Sequence, residues 1–119
     1  SYGLTDDEVA GMLRDSYTHA QDDMAARNLA EARVDGQRLV EATEAALAEN
    51  GAVLLDAAER QLIEFAIADL KLAMQGGDLA AVKQTAEALN KGTVEFAARR
   101  MDQSVKKALT GHKLDELEF

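Results

Sequence analysis

From Ala20 to Glu49 the sequence offers no helix breaker except Gly36, and no proline occurs anywhere in its 119 residues. Such a stretch predicts one helix of roughly 45 Å if it is straight. Its two halves differ in kind. In the second half Leu29, Ala32, Gly36, Leu39, Val40, Thr43, Ala46 and Leu47 recur at three- and four-residue steps, which makes a seam for other helices. The first half is rich in Asp, Arg and Ala and adds little beyond Met24. The expected object is a cantilever, anchored at one end and spanning open space at the other.

The flanking segments supply the rest of an all-α fold. Thr5-Asp6-Asp7-Glu8 has the spacing of a capping box and starts a first helix, whose face is Val9, Met12, Leu13 and Ser16. Gly11 weakens that helix by about 1 kcal/mol relative to alanine. Between Tyr17 and Asp23 the apolar phase shifts and a polar run intervenes, so a bend or break is expected there. Asn50-Gly51 reads as a left-handed helix stop. Asp56 and Glu59 suggest a second capping arrangement, followed by a face of Leu62, Ile63, Ala66, Ile67, Leu70, Ala73 and Met74 that Phe65 widens. Gly76-Gly77-Asp78 closes this helix and caps the next, which buries Leu79, Val82, Ala86 and Leu89. Asn90 to Thr93 marks either a break or a kink. In the last helix Ala97, Met101 and Val105 are expected to close the bundle, with an end at Thr110-Gly111. The resulting architecture is a short docking helix, a long helix that Gly36 can kink, and a C-terminal antiparallel helical bundle. Residues 1–38 form an arm, 39–111 the bundle and 112–119 a frayed tail.

Composition removes several classes of function. Alanine supplies about a fifth of the residues and aromatics only 4%, so any core is built from small aliphatic side chains. A net charge of −9 repels polyphosphate and argues against nucleic acid. Without cysteine there are no disulfides and no thiolate metal sites. No apolar run approaches the ~18 residues that cross a bilayer, and no leader segment opens the chain, so the reading is a soluble, cytoplasmic protein with no membrane partner. His19 and His112 stand in no metal-ligand spacing, Asp6-Asp7 and Asp22-Asp23 fit helix starts, and Gly76-Gly77 lacks a phosphate-loop sequel. Neither catalysis nor a bound cofactor or metal is expected of these residues. Met12, Met24, Met74 and Met101 fall at core or docking phases, and Arg99-Arg100 reads as a solvated edge.

Two segments carry a resemblance. FAARRMDQSV (residues 96–105), followed by an Ala-Leu pair and Gly-His-x-x-Asp-Glu, resembles the C-terminal end of the HscA branch of the DnaK-class (heat-shock-protein-seventy) chaperones. GLTDDEVAGMLRDS (residues 3–16) resembles the segment where chains of that class leave the peptide-binding β-sandwich and enter a helical lid. The resemblance implies that this chain is such a lid, belonging to a bacterial ATPase chaperone that uses ATP and Mg and serves iron-sulfur cluster assembly. The implied partners are the β-sandwich of the same parent, an iron-sulfur scaffold protein and a J-type cochaperone. It further implies that Val9, Met12 and Leu13 dock on the sandwich, and that Asp23 occupies the place of an acidic latch to the sandwich rim. A second latch position, usually histidine, falls on Glu41, a departure from the class pattern. Gly36 lies where such lids hinge. The first helix, without its sandwich, can pair with a second copy. The competing reading is a free-standing helical adaptor that binds partner helices through its arm.

Overall fold

The computed structural model describes residues 3–117, with side chains through Gly111. Five α-helices follow one another: α1 (Asp6–Ala46), α2 (Ala52–Leu54), α3 (Ala57–Gln75), α4 (Leu79–Gly92) and α5 (Val94–Leu117), with one π-helical turn at Leu47–Gly51 between α1 and α2. Among the described residues there is no strand. The molecule extends over 93 × 38 × 16 Å, because α1 runs well past the helices packed on its C-terminal half.

Helix α1 begins as its sequence dictates. The Thr5 hydroxyl accepts from the Glu8 N–H at 3.1 Å, and the Thr5 N–H donates to the Glu8 carboxylate at 3.4 Å. Asp6, Asp7 and Glu8 then complement the positive end of the helix. The expected break between Tyr17 and Asp23 is absent: α1 is a single helix of 41 residues, so no separate short docking helix exists. A shift of apolar phase changes which side of a helix is oily and leaves the backbone free to continue. Across this stretch the Gln21 amide even donates to the Tyr17 hydroxyl at 2.9 Å.

The stop expected at Asn50-Gly51 also takes another form. No described residue has positive φ, and Gly51 sits at φ −59°. The chain accommodates the segment by widening one turn at Leu47–Gly51 and leaves the helix only at Leu55, where φ is −124° and ψ 141°. Gly51 is buried, and a Cβ there would lie 2.8 Å from the Arg60 guanidinium, the mobile end of a side chain that packs over it and can shift.

Asp56 and Glu59 form the second capping box, and Asp78 caps α4 by accepting from the Ala80 N–H at 3.0 Å. The end of α3 is finished from outside, since Arg33 of α1 donates to the carbonyls of Met74 (3.0 Å) and Gly76 (2.7 Å). Between α4 and α5 only Thr93 leaves helical geometry. Its hydroxyl donates back to the Leu89 carbonyl at 2.9 Å instead of capping the next helix, so the junction is a kink. At the other end α5 passes Thr110-Gly111 and continues to Leu117, because a helical glycine costs only about 1 kcal/mol and no proline follows. The side chains of residues 112–119, including His112, lie outside the described residues.

The core lies where α1, α3 and α4 meet. Val40, Leu70, Val82 and Leu89 are fully buried, with Ala46, Leu47, Ile63, Ile67 and Phe96 beside them. All eight seam residues from Leu29 to Leu47 turn inward, as do Leu79, Val82, Ala86 and Leu89 of α4. On α3, Ile63, Ile67 and Leu70 are buried, while Leu62 and Phe65 are exposed on its outer side. The largest departure is in α5: Ala97, Met101 and Val105 face solvent, and Phe96 enters the core in their place.

Candidate functional site

From Leu29 onward one side of α1 is covered by the bundle, and the opposite side is open along its length. At about 100° per residue, Val9, Met12, Leu13, Asp23 and Glu41 share a sector roughly 100° wide on that open side. Asp23 and Glu41 are 18 residues apart, five full turns, so they stand in line about 27 Å from one another. Both are exposed, and the Glu41 carboxylate accepts from the Gln37 amide at 3.1 Å. Five residues singled out from sequence for two different roles thus lie on one surface.

That surface has an apolar rail. Val9, Leu13, Tyr17, Ala20 and Met24 follow at four-, four-, three- and four-residue steps, so the rail crosses the stretch where a break was expected. Val9 is 41% exposed, Met12 57% and Leu13 67%, and none of the described residues covers them. Large apolar side chains in a row on an otherwise polar helix are the pattern of a docking face. Beside the rail stand Arg14, Asp23 and Arg27, all exposed. Such a surface can hold and orient a partner. His19 is exposed on the arm, and no group of three or more His, Cys, Asp or Glu among the described residues could hold a metal ion. Among the described residues no helix is long and apolar enough to cross a membrane.

Gly36 is placed apart from these five, on the side of α1 that enters the bundle. It is buried, and a Cβ there would meet the Met74 sulfur at 2.9 Å and Leu70 Cδ1 at 3.4 Å. The helix runs through it uninterrupted. Its missing side chain lets α1 and α3 approach, and bending at this point would first require that contact to open. Arg33, one turn earlier, ties α1 to the end of α3 through the two carbonyls already described.

The second polar constellation was missed in the sequence. Arg99 donates to the Leu54 carbonyl at 2.9 Å and pairs with Glu59 at 2.8 Å, so it is no solvated edge. Arg100 donates to Asn50 at 2.7 Å and to Glu49 at 3.1 Å, its guanidinium 5.9 Å from the centre of the Phe96 ring. Asn50 in turn donates to Gln103 at 3.0 Å. The Arg99 guanidinium, followed by the Asp56 N–H, holds the Glu59 carboxyl below its ordinary range, and Glu59 raises the Arg99 pKa. These bonds fasten α5 to the corner between α1 and α3. The available signal was Phe96, a large aromatic in an aromatic-poor chain, with arginines three and four residues after it.

Comparison with known proteins places this geometry in context. The family model described as Hsp70 protein matches residues 1–102. A protein of Burkholderia thailandensis named "Chaperone protein HscA homolog" is 56% identical over 117 residues, covering 98% of this chain and 19% of the relative. Proteins of the same name from Methylococcus capsulatus (52% over 117 residues) and Aromatoleum aromaticum (54% over 118 residues) are covered 19% by a match that takes in 98% and 99% of this chain. The chain therefore spans about a fifth of the length of the curated relatives it matches.

Proposed function

The chain belongs to the Hsp70 protein family, and from that premise we propose that it is the helical lid of the substrate-binding domain of an HscA-type chaperone. In this reading Val9, Met12 and Leu13 dock α1 on the β-sandwich of the same parent, and the rest of the arm covers the peptide cleft. Asp23 latches the arm to a basic group on the cleft rim, with Glu41 five turns further along the same line. The parent is a bacterial, cytoplasmic ATPase that takes ATP and Mg outside this segment, acts with a J-type cochaperone and handles the scaffold protein of iron-sulfur cluster assembly. The lid itself does no chemistry. Its effect is on the rate at which bound peptide escapes.

The observation that carries the reading is the free half of α1. A helical arm that projects beyond its own core and keeps an apolar rail and the latch carboxylates on one open side is suited to lie across something. The relatives' shared name supports the chaperone class and the HscA branch within it. The test is stopped-flow release of a labelled scaffold peptide from the full-length parent chaperone. Asp23→Ala is expected to speed release two- to fivefold, the size of one exposed ion pair worth up to about 1 kcal/mol. Release at the wild-type rate would remove Asp23 from the latch.

A further inference from the structure

The only oxidisable sulfurs in this chain are four thioethers, since it has no cysteine. Three of them stand on open faces, with Met12, Met24 and Met101 each more than half exposed. Met74 differs. It is half-buried at the end of α3 and packs against the core. Its sulfur lies against Gly36 of α1, 2.9 Å from the point a Cβ there would occupy, and its Cγ is 3.5 Å from the same point. Its carbonyl accepts from the Arg33 guanidinium at 3.0 Å, and that guanidinium also reaches the Gly76 carbonyl at 2.7 Å. One residue thus carries two of the links between α1 and the end of α3, one through sulfur and one through backbone.

We propose that Met74 is a redox-sensitive joint, a modification site where hydrogen peroxide converts the thioether to the sulfoxide and so loosens the arm from the bundle. A sulfur lone pair takes one peroxide oxygen. The O–O bond breaks, the S–O bond forms, and the second oxygen leaves as water after proton transfer, so sulfur gives up two electrons and peroxide gains them. Partial exposure makes this position responsive, because peroxide can approach without unfolding the chain, yet the side chain fills a contact that the product cannot keep. The added oxygen has no room against Gly36, and an apolar side chain becomes a strong hydrogen-bond acceptor. The donor that already serves this residue is Arg33, committed to the Met74 and Gly76 carbonyls. Either the sulfoxide draws Arg33 away from those carbonyls, or it swings out to water and uncovers Gly36. Both routes open the contact that keeps α1 straight at Gly36, and a mid-helix glycine is where a helix released from its packing bends. Oxidation of Met12, Met24 or Met101 adds an oxygen to a side chain already in water and disturbs no packing.

The test uses two forms of the 119-residue chain. In one, Met12→Leu, Met24→Leu and Met101→Leu leave Met74 as the sole thioether; in the other, Met74→Leu leaves the three exposed ones. Both carry disulfide-linked nitroxide labels at Ser16→Cys on the arm and Gln84→Cys on α4, both exposed positions. Mass spectrometry during peroxide treatment is expected to show folded Met74 taking up one oxygen at a rate within about tenfold of the exposed methionines. Once Met74 is oxidised, the label-to-label distance distribution should widen, and the folding equilibrium constant from urea unfolding should fall about tenfold. Complete oxidation of the Met74→Leu form should change neither quantity. An unchanged distance distribution with Met74 oxidised, uptake at Met74 only when the chain is unfolded, or an equal response from the Met74→Leu form would overturn the proposal.

Discussion

The contact between Gly36 and α3 makes a quantitative prediction. Leu70 has no exposed surface, so Leu70→Ala removes three buried carbons and leaves a void between α1 and α3. The cost is about 3–5 kcal/mol, a large share of the ~5–15 kcal/mol that holds a domain together. Gly36→Ala alone should be nearly neutral. A mid-helix alanine gains about 1 kcal/mol over glycine, but here the new methyl must displace the Met74 sulfur, 2.9 Å away, and press on Leu70 Cδ1 at 3.4 Å. In the Leu70→Ala background one obstacle is gone and Met74 can swing into the void, so the alanine at 36 fills space and expresses its helical gain. The double variant should therefore be more stable than the sum of the singles by about 1–2 kcal/mol. Urea unfolding followed by far-UV circular dichroism, with m-values compared across the four proteins, measures each term. Additivity within about 0.5 kcal/mol, or a Leu70→Ala cost below 1 kcal/mol, would show that Gly36 and Leu70 do not share this contact.

The two ends of the FAARRM run should respond oppositely. Phe96 is 3% exposed and Phe96→Ala is expected to cost about 3–5 kcal/mol in the same assay, whereas Met101→Ala at low protein concentration should stay within about 0.5 kcal/mol. The Arg99–Glu59 pair predicts a pH signature. Because the Glu59 carboxyl is held below its ordinary range in the folded chain, its contribution is fully present above the unfolded carboxylate pKa and is lost as pH falls through the lower, folded one. Glu59→Gln should therefore lower the urea midpoint at neutral pH by a margin that shrinks toward about pH 3. A margin that does not change with pH would remove the charge of Glu59 from the lock.

Much of this fold is legible in the sequence because helix signals are local. The capping boxes at Thr5 and Asp56 and the turn at Gly76-Gly77-Asp78 each sit within one or two turns of chain, and the eight-residue seam from Leu29 to Leu47 repeats every three or four residues, so hydrogen-bond reach and apolar spacing decide the outcome. The sequence is ambiguous where a local pattern has two physical solutions. A change of apolar phase after Tyr17 signals either a broken backbone or a continuous helix whose partners change side, and continuity won because nothing there disfavours helix. The stripe around Met101 fits a bundle face or an outer face equally well. What chose between them was the polar side of α5, where Arg99 and Arg100 find Glu59, Glu49, Asn50 and the Leu54 carbonyl some 40 to 50 residues away in sequence. Pairings over such separations leave no periodic trace. Gly36 shows the same ambiguity: one residue serves bending and close approach alike, and only the position of Met74 tells which is used.

The unbroken backbone of α1 turns aim into a matter of counting. Beyond the clamp at Arg33 every residue adds about 1.5 Å of reach and about 100° of azimuth. One residue inserted near Asn28 would barely lengthen the arm, yet it would swing Met12, Leu13 and Asp23 round to its flank. Seven inserted residues would return the azimuth to within about 20° and carry the tip some 10 Å outward. Length in this segment is thus tolerant only in near-whole turns, and the stretch between Met24 and Arg33 sets where the arm points.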